Sequence, residues 1–277
     1  MVESPEATSQ IEESARPSLS RRQMLLGCGA VLGGLGGLGG CSSAPKQAAD
    51  VAATASLPKQ VIPFSASPPN GEIPLGWLPS KTWLATKRTD YKAIAQADQT
   101  VLHALSDESA SAIYCDVAIA QDRAQRIRWR WKVDELIPTA DVGDADLDDA
   151  VARVLVSMGD NGKKLSFRDL LFREQANLIA GVDFPHSTLT YVWDPKHPVG
   201  TVLNIKETSR VRYLVIESGP ERLGQWIEYD RDFQADFKMV FDGESSGQVT
   251  SVGVTTDANN TYSKAEAWYG DITLGEA

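Results

Sequence analysis

The residues from Arg126 to Val133 alternate without exception between charged and apolar side chains. The apolar set is Ile127, Trp129, Trp131 and Val133, and the charged set is Arg126, Arg128, Arg130 and Lys132. Successive side chains of a β-strand point to opposite faces, so this pattern buries one set and exposes the other. The segment therefore predicts a strand of a half-buried sheet, with both tryptophans in the core.

Other segments share this period or are rich in β-branched and aromatic residues, as strands are. They are Val101–Leu105, Ile113–Ile119, Val154–Met158, Thr188–Trp193, Val211–Ile216, Val249–Val254 and Ala265–Leu274. Segments rich in Gly, Asp, Asn and Pro separate them, and no repeated strand-helix alternation demands a parallel sheet. The sequence thus predicts an all-β protein, an antiparallel β-sandwich. Short helical insertions are expected at Phe167–Ile179 and at Arg231–Phe241, where Phe233, Phe237 and Phe241 recur on one face.

The N-terminus has the three-part plan of an export signal. A polar start leads to the adjacent Arg21 and Arg22, which precede a glycine-diluted apolar run, Met24–Leu38. This run is shorter than the roughly 20 strongly apolar residues that span a bilayer. The arginine pair resembles the twin-arginine export signal, which would make the export machinery a partner. The alternative is that the two arginines are only the positive flank of a general secretory signal.

The residues Leu38–Cys41 resemble the lipobox of bacterial lipoproteins, in which the cysteine thiol takes a diacylglyceryl group. The prediction is a signal peptide at 1–40, a lipidated Cys41 with a flexible tether at 41–60, and a β-sandwich domain at 61–277. Membrane lipid would then be a partner through acylated Cys41. The domain would face the periplasm or the exterior of the bacterial cell envelope. Ser42, rather than Asp, after the cysteine favours the outer membrane.

The cysteine content and the net charge argue against an intramolecular disulfide and against a nucleic-acid partner. With Cys28 in the predicted signal and Cys41 lipidated, Cys115 is left without an intramolecular disulfide partner, and its alternating neighbours predict a buried strand residue. The net charge of −10 and the lack of a long basic cluster outside the signal argue against nucleic acid as a partner.

Several separated motifs resemble one family of bacterial exported proteins, domain-of-unknown-function family 3047. They include Gly76-Trp77, Trp129–Val133, Thr188–Trp193, Asp257–Thr261 and Tyr269–Ile272. The resemblance spans about Pro63 to Leu274 and implies a secreted all-β domain without an assigned reaction. More distantly, the last two strands and the turn between them resemble carbohydrate-binding jelly rolls of the galactose-binding type. That likeness is at the level of the fold and licenses only a hypothesis about function.

Two sets of side chains are candidates for binding a ligand. The first comprises aromatic rings near predicted loops or strand ends, where a ring is free to stack on a sugar: Trp83, Tyr91, Tyr262 and Trp268. The second comprises cations that would form one patch if their strands are neighbours, together with Lys132: Arg128, Arg130, Arg153 and Arg212. Such a patch suits an acidic glycan. The alternative is that these cations pair with acidic residues across strands.

The turn Asp257–Thr261 and the later Asp271 offer oxygen ligands for calcium, namely Asp257, Asn260 and Asp271. Asp and Asn also favour tight turns by bonding their own backbone, which is the alternative. In the acidic run before the predicted strand Val154–Met158, Asp149 is expected to pair with Arg153 four residues on.

No residue is assigned a catalytic role, because His103, His186 and His197 lie far from any nucleophile elbow. The preferred hypothesis is a non-catalytic lipoprotein module that binds a polysaccharide or envelope glycan. The alternatives are a carbohydrate-active enzyme with paired carboxylates, drawn from residues such as Glu217, Asp236 and Asp257, and a structural envelope lipoprotein that binds another protein.

Overall fold

A computed structural model describes residues 56–80, 87–180 and 184–276. The predicted export residues Arg21 and Arg22, the predicted lipidation residue Cys41, and Trp83 lie outside the described residues. Among the helices that the structure describes, none is long and apolar enough to cross a membrane.

Within these residues the chain forms thirteen strands and two α-helices. In chain order the strands are β1 (Leu78–Pro79), β2 (Asp90–Gln96), β3 (Gln99–Asp107), β4 (Ala112–Ile119), β5 (Arg126–Val133), β6 (Ala150–Met158), β7 (Ser187–Asp194), β8 (Val202–Asn204), β9 (Val211–Ser218), β10 (Ile227–Asp232), β11 (Val249–Asp257), β12 (Lys264–Tyr269) and β13 (Thr273–Gly275). Helix α1 (Phe167–Ala180) connects β6 to β7, and α2 (Phe233–Val240) follows β10 directly.

The strands form two sheets. The first has the order β1-β4-β11-β6-β7-β9-β8, and the second has the order β10-β5-β12-β3-β2, with β13 also paired to β5. Consecutive strands from β3 to β6 alternate between the sheets, as in a jelly roll. The facing sides of the sheets share one core, whose fully buried side chains include Trp131, Tyr191, Trp193 and Tyr269. The predicted all-β sandwich is confirmed, and so is the burial of Trp129 and Cys115.

One pair of neighbours departs from the antiparallel rule. β7 and β9 run parallel, because β8, between them in sequence, lies at the sheet edge and pairs antiparallel with β9. β7 is buried along its whole length, as expected for a strand covered on both faces. A small second core lies on the outer face of the first sheet, where Val142 from the β5–β6 loop packs with Val192, Tyr213 and Val215.

Two predicted elements have different limits. Arg231 and Asp232 belong to β10, and α2 begins only at Phe233, because the Asp232 carboxylate accepts the backbone N–H of Ala235 as an N-cap at 2.9 Å. The single strand predicted for Ala265–Leu274 is divided into β12 and β13. Between them Gly270 approaches Arg130 so closely that a Cβ atom would lie 2.5 Å from the arginine side chain.

Candidate functional site

Tyr91 does not offer its ring to solvent. It lies on the inward face of β2, and only 5% of the residue is exposed. Its hydroxyl donates to the carbonyl of Ser111 at 2.6 Å, and burial raises its pKa well above the ordinary value. The prediction of a free ring at this position is wrong, because Tyr91 belongs to a strand that was not predicted.

Arg153 and Asp257, predicted separately for ligand and metal binding, form an ion pair with each other. Arg153 donates from Nη1 to Asp257 Oδ2 and from Nη2 to Asp148 Oδ1, each at 2.6 Å. Its guanidinium lies 5.2 Å from the centroid of the Tyr213 ring, and the Tyr213 hydroxyl donates to Asp148 Oδ2 at 3.0 Å. The partners of Arg153 are therefore Asp148 and Asp257, and not the predicted Asp149.

Burial controls the charges in this network. Desolvation raises the pKa of Asp257 to about 6, although the nearby Arg153 opposes the change. Desolvation also raises the pKa of Asp148. Burial disfavours the charged form of Arg153, but Asp257 and Asp148 outweigh it and raise the arginine pKa. The guanidinium thus compensates the buried Asp257 and the partly buried Asp148, and these carboxylates accept the hydrogen bonds of its Nη1 and Nη2 atoms.

The fully buried Asp149 holds the loop between β11 and β12 and does not pair with Arg153. Its carboxylate accepts the backbone N–H of Asn260 at 3.1 Å and of Thr261 at 2.7 Å, and the Thr261 hydroxyl at 2.6 Å. The Asn260 side-chain amide donates to the carbonyl of Ala145 at 3.0 Å. Through these bonds the acidic segment before β6 holds the β11–β12 loop in place. The spacing of these residues in the sequence does not predict this contact.

The three residues predicted to bind calcium have separate partners. Asp257 binds Arg153, and Asn260 takes part in the braced loop. Asp271 accepts the backbone N–H of Ser65 at 2.8 Å and the Ser65 hydroxyl at 2.5 Å. In the part of the chain that the structure describes, no group of three or more His, Cys, Asp or Glu residues is placed to hold a metal ion. Calcium binding stays a prediction.

The predicted cationic patch is divided between the two sheets. Arg128 and Arg130 lie on β5 of the second sheet, whereas Arg153 and Arg212 lie on β6 and β9 of the first. Arg212 donates to the Val240 carbonyl at 2.5 Å and to the Asp242 carboxylate at 2.9 Å. The four arginines therefore do not form one surface, because their strands are not neighbours.

Trp268 lies on the outer face of the second sheet, but its ring is stacked between neighbouring side chains. His103 on β3 lies on one side, with ring centroids 5.3 Å apart and an interplanar angle of 28°. Lys132 on β5 lies on the other, with Nζ 4.7 Å from the ring centroid. Next to them, the Arg130 guanidinium lies 4.6 Å from the centroid of Trp226. A sugar stacking on Trp268 would have to displace one of these partners.

A pocket of about 430 Å³ opens at one end of the second sheet. It is lined by Lys87, Arg88, Asp90, Leu105, Asp107 and Ser109. The volume falls within the range of small-molecule sites, roughly 300–1,000 Å³, and the pocket is shallow and largely open to solvent. No local pattern in the sequence predicts that these six residues form a site, because they belong to different segments of the chain. Only their position at the ends of β2 and β3 brings them together.

The loop that carries Tyr262 joins the rim of this pocket. The Glu108 N–H donates to the Ser263 carbonyl at 2.8 Å, and the Ala258 N–H donates to the Ser109 carbonyl at 3.0 Å. Lys264 pairs with the pocket residue Asp107 at 3.6 Å. We refer to the pocket and the loop Ala258–Ser263 together as the loop-end site.

Two of the four non-glycine residues with left-handed backbones in the described part of the chain lie at the loop-end site. Glu108 and Tyr262, in the two hydrogen-bonded loops, both have left-handed backbones, with φ of 48° and 53°. Such conformations are unfavourable for residues other than glycine and are enriched at functional sites. Tyr262 is also 77% exposed. Of the four aromatic rings proposed from the sequence, it is the one that the described structure presents openly to solvent.

Comparison with solved structures gives neighbours of low similarity. A carbohydrate-binding module, TmCBM61 in complex with β-1,4-galactotriose, is 9% identical with a TM-score of 0.31, over 74% of this chain and 92% of that one. The endo-1,4-β-glucanase CelB2 is 11% identical with a TM-score of 0.35, over 73% and 99%. The glycoside hydrolase domain of Endo-D from Streptococcus pneumoniae R6 is 8% identical with a TM-score of 0.31, over 72% of this chain and 21% of that one.

Comparison with curated proteins finds no match. A family model described as a protein of unknown function, DUF3047, matches residues 76–273. The matched range extends from β1 to β13 and includes the whole loop-end site.

Proposed function

The chain belongs to the DUF3047 family of proteins of unknown function, and we propose that its folded domain is a non-catalytic module that binds a short neutral glycan. The loop-end site is the proposed binding surface. The observation that carries the proposal is the exposed Tyr262 ring on a loop that Asp149 braces beside a pocket lined with polar groups. Because the loop is already ordered, a ligand that stacks on this ring would lose little affinity to ordering the protein.

The pocket offers the chemistry that sugar recognition requires. Lys87 and Arg88 donate hydrogen bonds, and the carboxylates of Asp90 and Asp107 accept them from hydroxyl groups. Leu105, which is 40% exposed, adds an apolar patch. Two cations and two acids line the pocket, so its balance of charge favours a neutral ligand over an acidic one. Its size suits about one or two sugar units.

A glycoside hydrolase is the second candidate, because Asp90 and Asp107 line one pocket from adjacent strands. A general acid in such enzymes has its pKa raised by burial. Here the Asp90 and Asp107 side chains are 51% and 58% exposed, and each forms an ion pair with a lysine, Lys92 and Lys264 respectively. These solvated carboxylates are suited to hydrogen bonding with hydroxyl groups rather than to protonating a leaving group.

Replacing Tyr262 with alanine is expected to weaken glycan binding by about tenfold or more, because an aromatic ring on which a ligand stacks contributes a large share of the affinity. The measurement is a glycan array followed by calorimetric titration with the neutral mono- or disaccharide that binds. Trp268→Ala is the matched control, since the ring it removes is already covered by His103 and Lys132. We expect it to change the affinity less than about twofold.

Two outcomes would contradict this assignment. If Trp268→Ala abolishes binding and Tyr262→Ala does not, the ligand lies on the outer face of the second sheet. If the unmodified protein releases reducing sugar from the bound oligosaccharide, and Asp107→Asn stops the release, the domain is an enzyme.

The proposal also places this module in the cell envelope, attached by lipid on Cys41 and exported through Arg21 and Arg22. Its support is the lipobox-like Leu38–Cys41 after the apolar run. In cells fed a radiolabelled fatty acid, Cys41→Ala is expected to remove both the label and the membrane association, because the acyl chains provide the anchor. Cys115→Ala, which changes a buried thiol in the sandwich, should keep the label. A Cys41→Ala protein that is still labelled would refute the lipidation.

A further inference from the structure

Helix α1 has an apolar face that the rest of the described chain leaves uncovered. Phe167 is 82% exposed and Leu178 is 86% exposed, while Leu170 and Leu171 are 44% and 49% exposed. These residues and Glu174 lie along one side of the helix. Counted from Phe167, they stand three, four, seven and eleven positions on, and such positions share a face of an α-helix. A helix with this pattern usually buries these side chains in a core, so the exposed face is available to a binding partner.

The opposite side of α1 is held to the domain by polar bonds at its start. The buried Asp169 carboxylate accepts the hydroxyls of Ser166 and Thr208, each at 2.6 Å, and the N–H of Ser209 at 2.8 Å. Ala176 is also buried on this side. The helix is therefore fixed to the sandwich through Asp169 while its apolar face points away.

Cations surround the first turn of the helix. Lys163, Lys164, Arg168 and Lys206 are all exposed, and Arg168 reaches across to the carbonyl of Lys206. The nearby acid Glu244 pairs with Lys163 at 3.6 Å. The exposed acids Asp160 and Glu207 lie in the same segments, so exposed cations outnumber exposed acids here by four to two, in a chain whose net charge is −10.

We propose that α1 docks on the surface of an anionic lipid bilayer. An interfacial helix places its apolar face at the boundary between headgroups and acyl chains and its cations against anionic headgroups. Phe167, Leu171 and Leu178 would enter the acyl boundary, while Lys164 and Arg168 would contact phosphate groups. A bilayer surface supplies both the hydrocarbon and the negative charge that this face matches. The proposal does not depend on the loop-end site binding a glycan.

The test is hydrogen exchange of the full chain with and without vesicles of phosphatidylcholine containing about one third phosphatidylglycerol. Binding of the whole protein to vesicles would not identify α1 as the contact, because the apolar sequence Met24–Leu38 would also favour lipid. Local exchange reports on α1 separately. We expect anionic vesicles to slow exchange of the α1 amides about tenfold or more, with a smaller effect from pure phosphatidylcholine.

Variants of exposed residues test the apolar face of α1 and its charge separately. Leu171→Asp with Leu178→Asp should abolish the slowing, because it places charges in the acyl boundary. Val199→Asp is the matched control, since Val199 is also an exposed apolar residue, 61% exposed, but lies in the loop after β7. Glu174→Lys should increase the protection on anionic vesicles by removing the acid from the apolar face.

Unchanged α1 exchange on anionic vesicles would overturn the proposal. So would protection that persists in the Leu171→Asp, Leu178→Asp protein, since the apolar face would then not be responsible. Protection that appears without vesicles and rises with protein concentration would show that a second copy covers this face instead of lipid.

Discussion

Replacing Arg153 with methionine is expected to lower the free energy of unfolding by about 3–5 kcal/mol at neutral pH. The substitution keeps most of the side-chain length but leaves Asp257 and Asp148 without the guanidinium that each now binds at 2.6 Å. Only 6% of the Arg153 side chain is exposed, so water cannot replace the lost charge. Urea denaturation of the two proteins measures the difference.

The stability that Arg153→Met loses should be smaller in mild acid than at neutral pH. The pKa of Asp257 in the folded protein is about 6, above the roughly 3.9 of an unfolded chain. The folded state therefore binds this proton more tightly, and the proton stabilises the fold as pH falls through about 6 towards 4. Without Arg153 the Asp257 carboxylate is still more costly to ionise. The variant should therefore gain stability relative to the unmodified protein between pH 7.5 and pH 4.5, which lie on either side of a pKa of about 6.

Arg128→Met provides the control for Arg153→Met. The Arg128 side chain is 46% exposed and pairs with Asp230 at the surface, so its removal should change stability by less than about 1 kcal/mol. If both methionine variants lose the same small amount, the buried network does not stabilise the fold as argued.

Replacing Trp131 with alanine is expected to lower the free energy of unfolding by about 3–5 kcal/mol. The ring is fully buried and lies 5.7 Å from Trp129, 6.3 Å from Trp193 and 5.5 Å from Tyr229, measured between centroids. It connects aromatic residues of both sheets, so alanine would leave a cavity at the centre of the sandwich. Chemical denaturation followed by far-ultraviolet circular dichroism measures the loss.

Two further variants separate cavity formation from the loss of an aromatic ring as such. Trp131→Phe leaves a smaller cavity and should cost less than Trp131→Ala. Trp226→Ala removes a half-buried ring from the outer face of the second sheet, and we expect a loss below about 1.5 kcal/mol. Equal losses for Trp131→Ala and Trp226→Ala would contradict the central position of Trp131 in the core.

The clearest sequence signals came from strands with one buried face. Arg126–Val133 alternates between large apolar and charged residues, and β5 has those limits. In β2 the inward side chains include Tyr91 and Ala93, and alanine gives little contrast with the polar residues between. That weak contrast is why the strand was missed and Tyr91 was assigned to an exposed position.

The candidate site depended on contacts between distant segments. Asp149 is 112 positions from Thr261, whose N–H and hydroxyl it accepts, so no local pattern could indicate that it braces the loop of Tyr262. Arg153 was expected to pair with Asp149, four residues earlier in the chain, but Asp257 is one of its partners because β6 and β11 are adjacent and antiparallel. Ion pairs across a sheet follow strand order and register, which local sequence does not specify.

The amino-acid sequence by itself determined the all-β class, the inward face of its most regular strands, the positions of the two helices and the buried face of α2, because these follow from side-chain patterns along a few neighbouring residues. Only the tertiary structure decided which charges are paired, which rings are covered and where the loop-end site lies. Strand order brought Arg153 to Asp257, and stacking across β3, β12 and β5 covered Trp268. Burial and pairing depend on the segments that meet in space, and so they become visible only when the sheets are assembled.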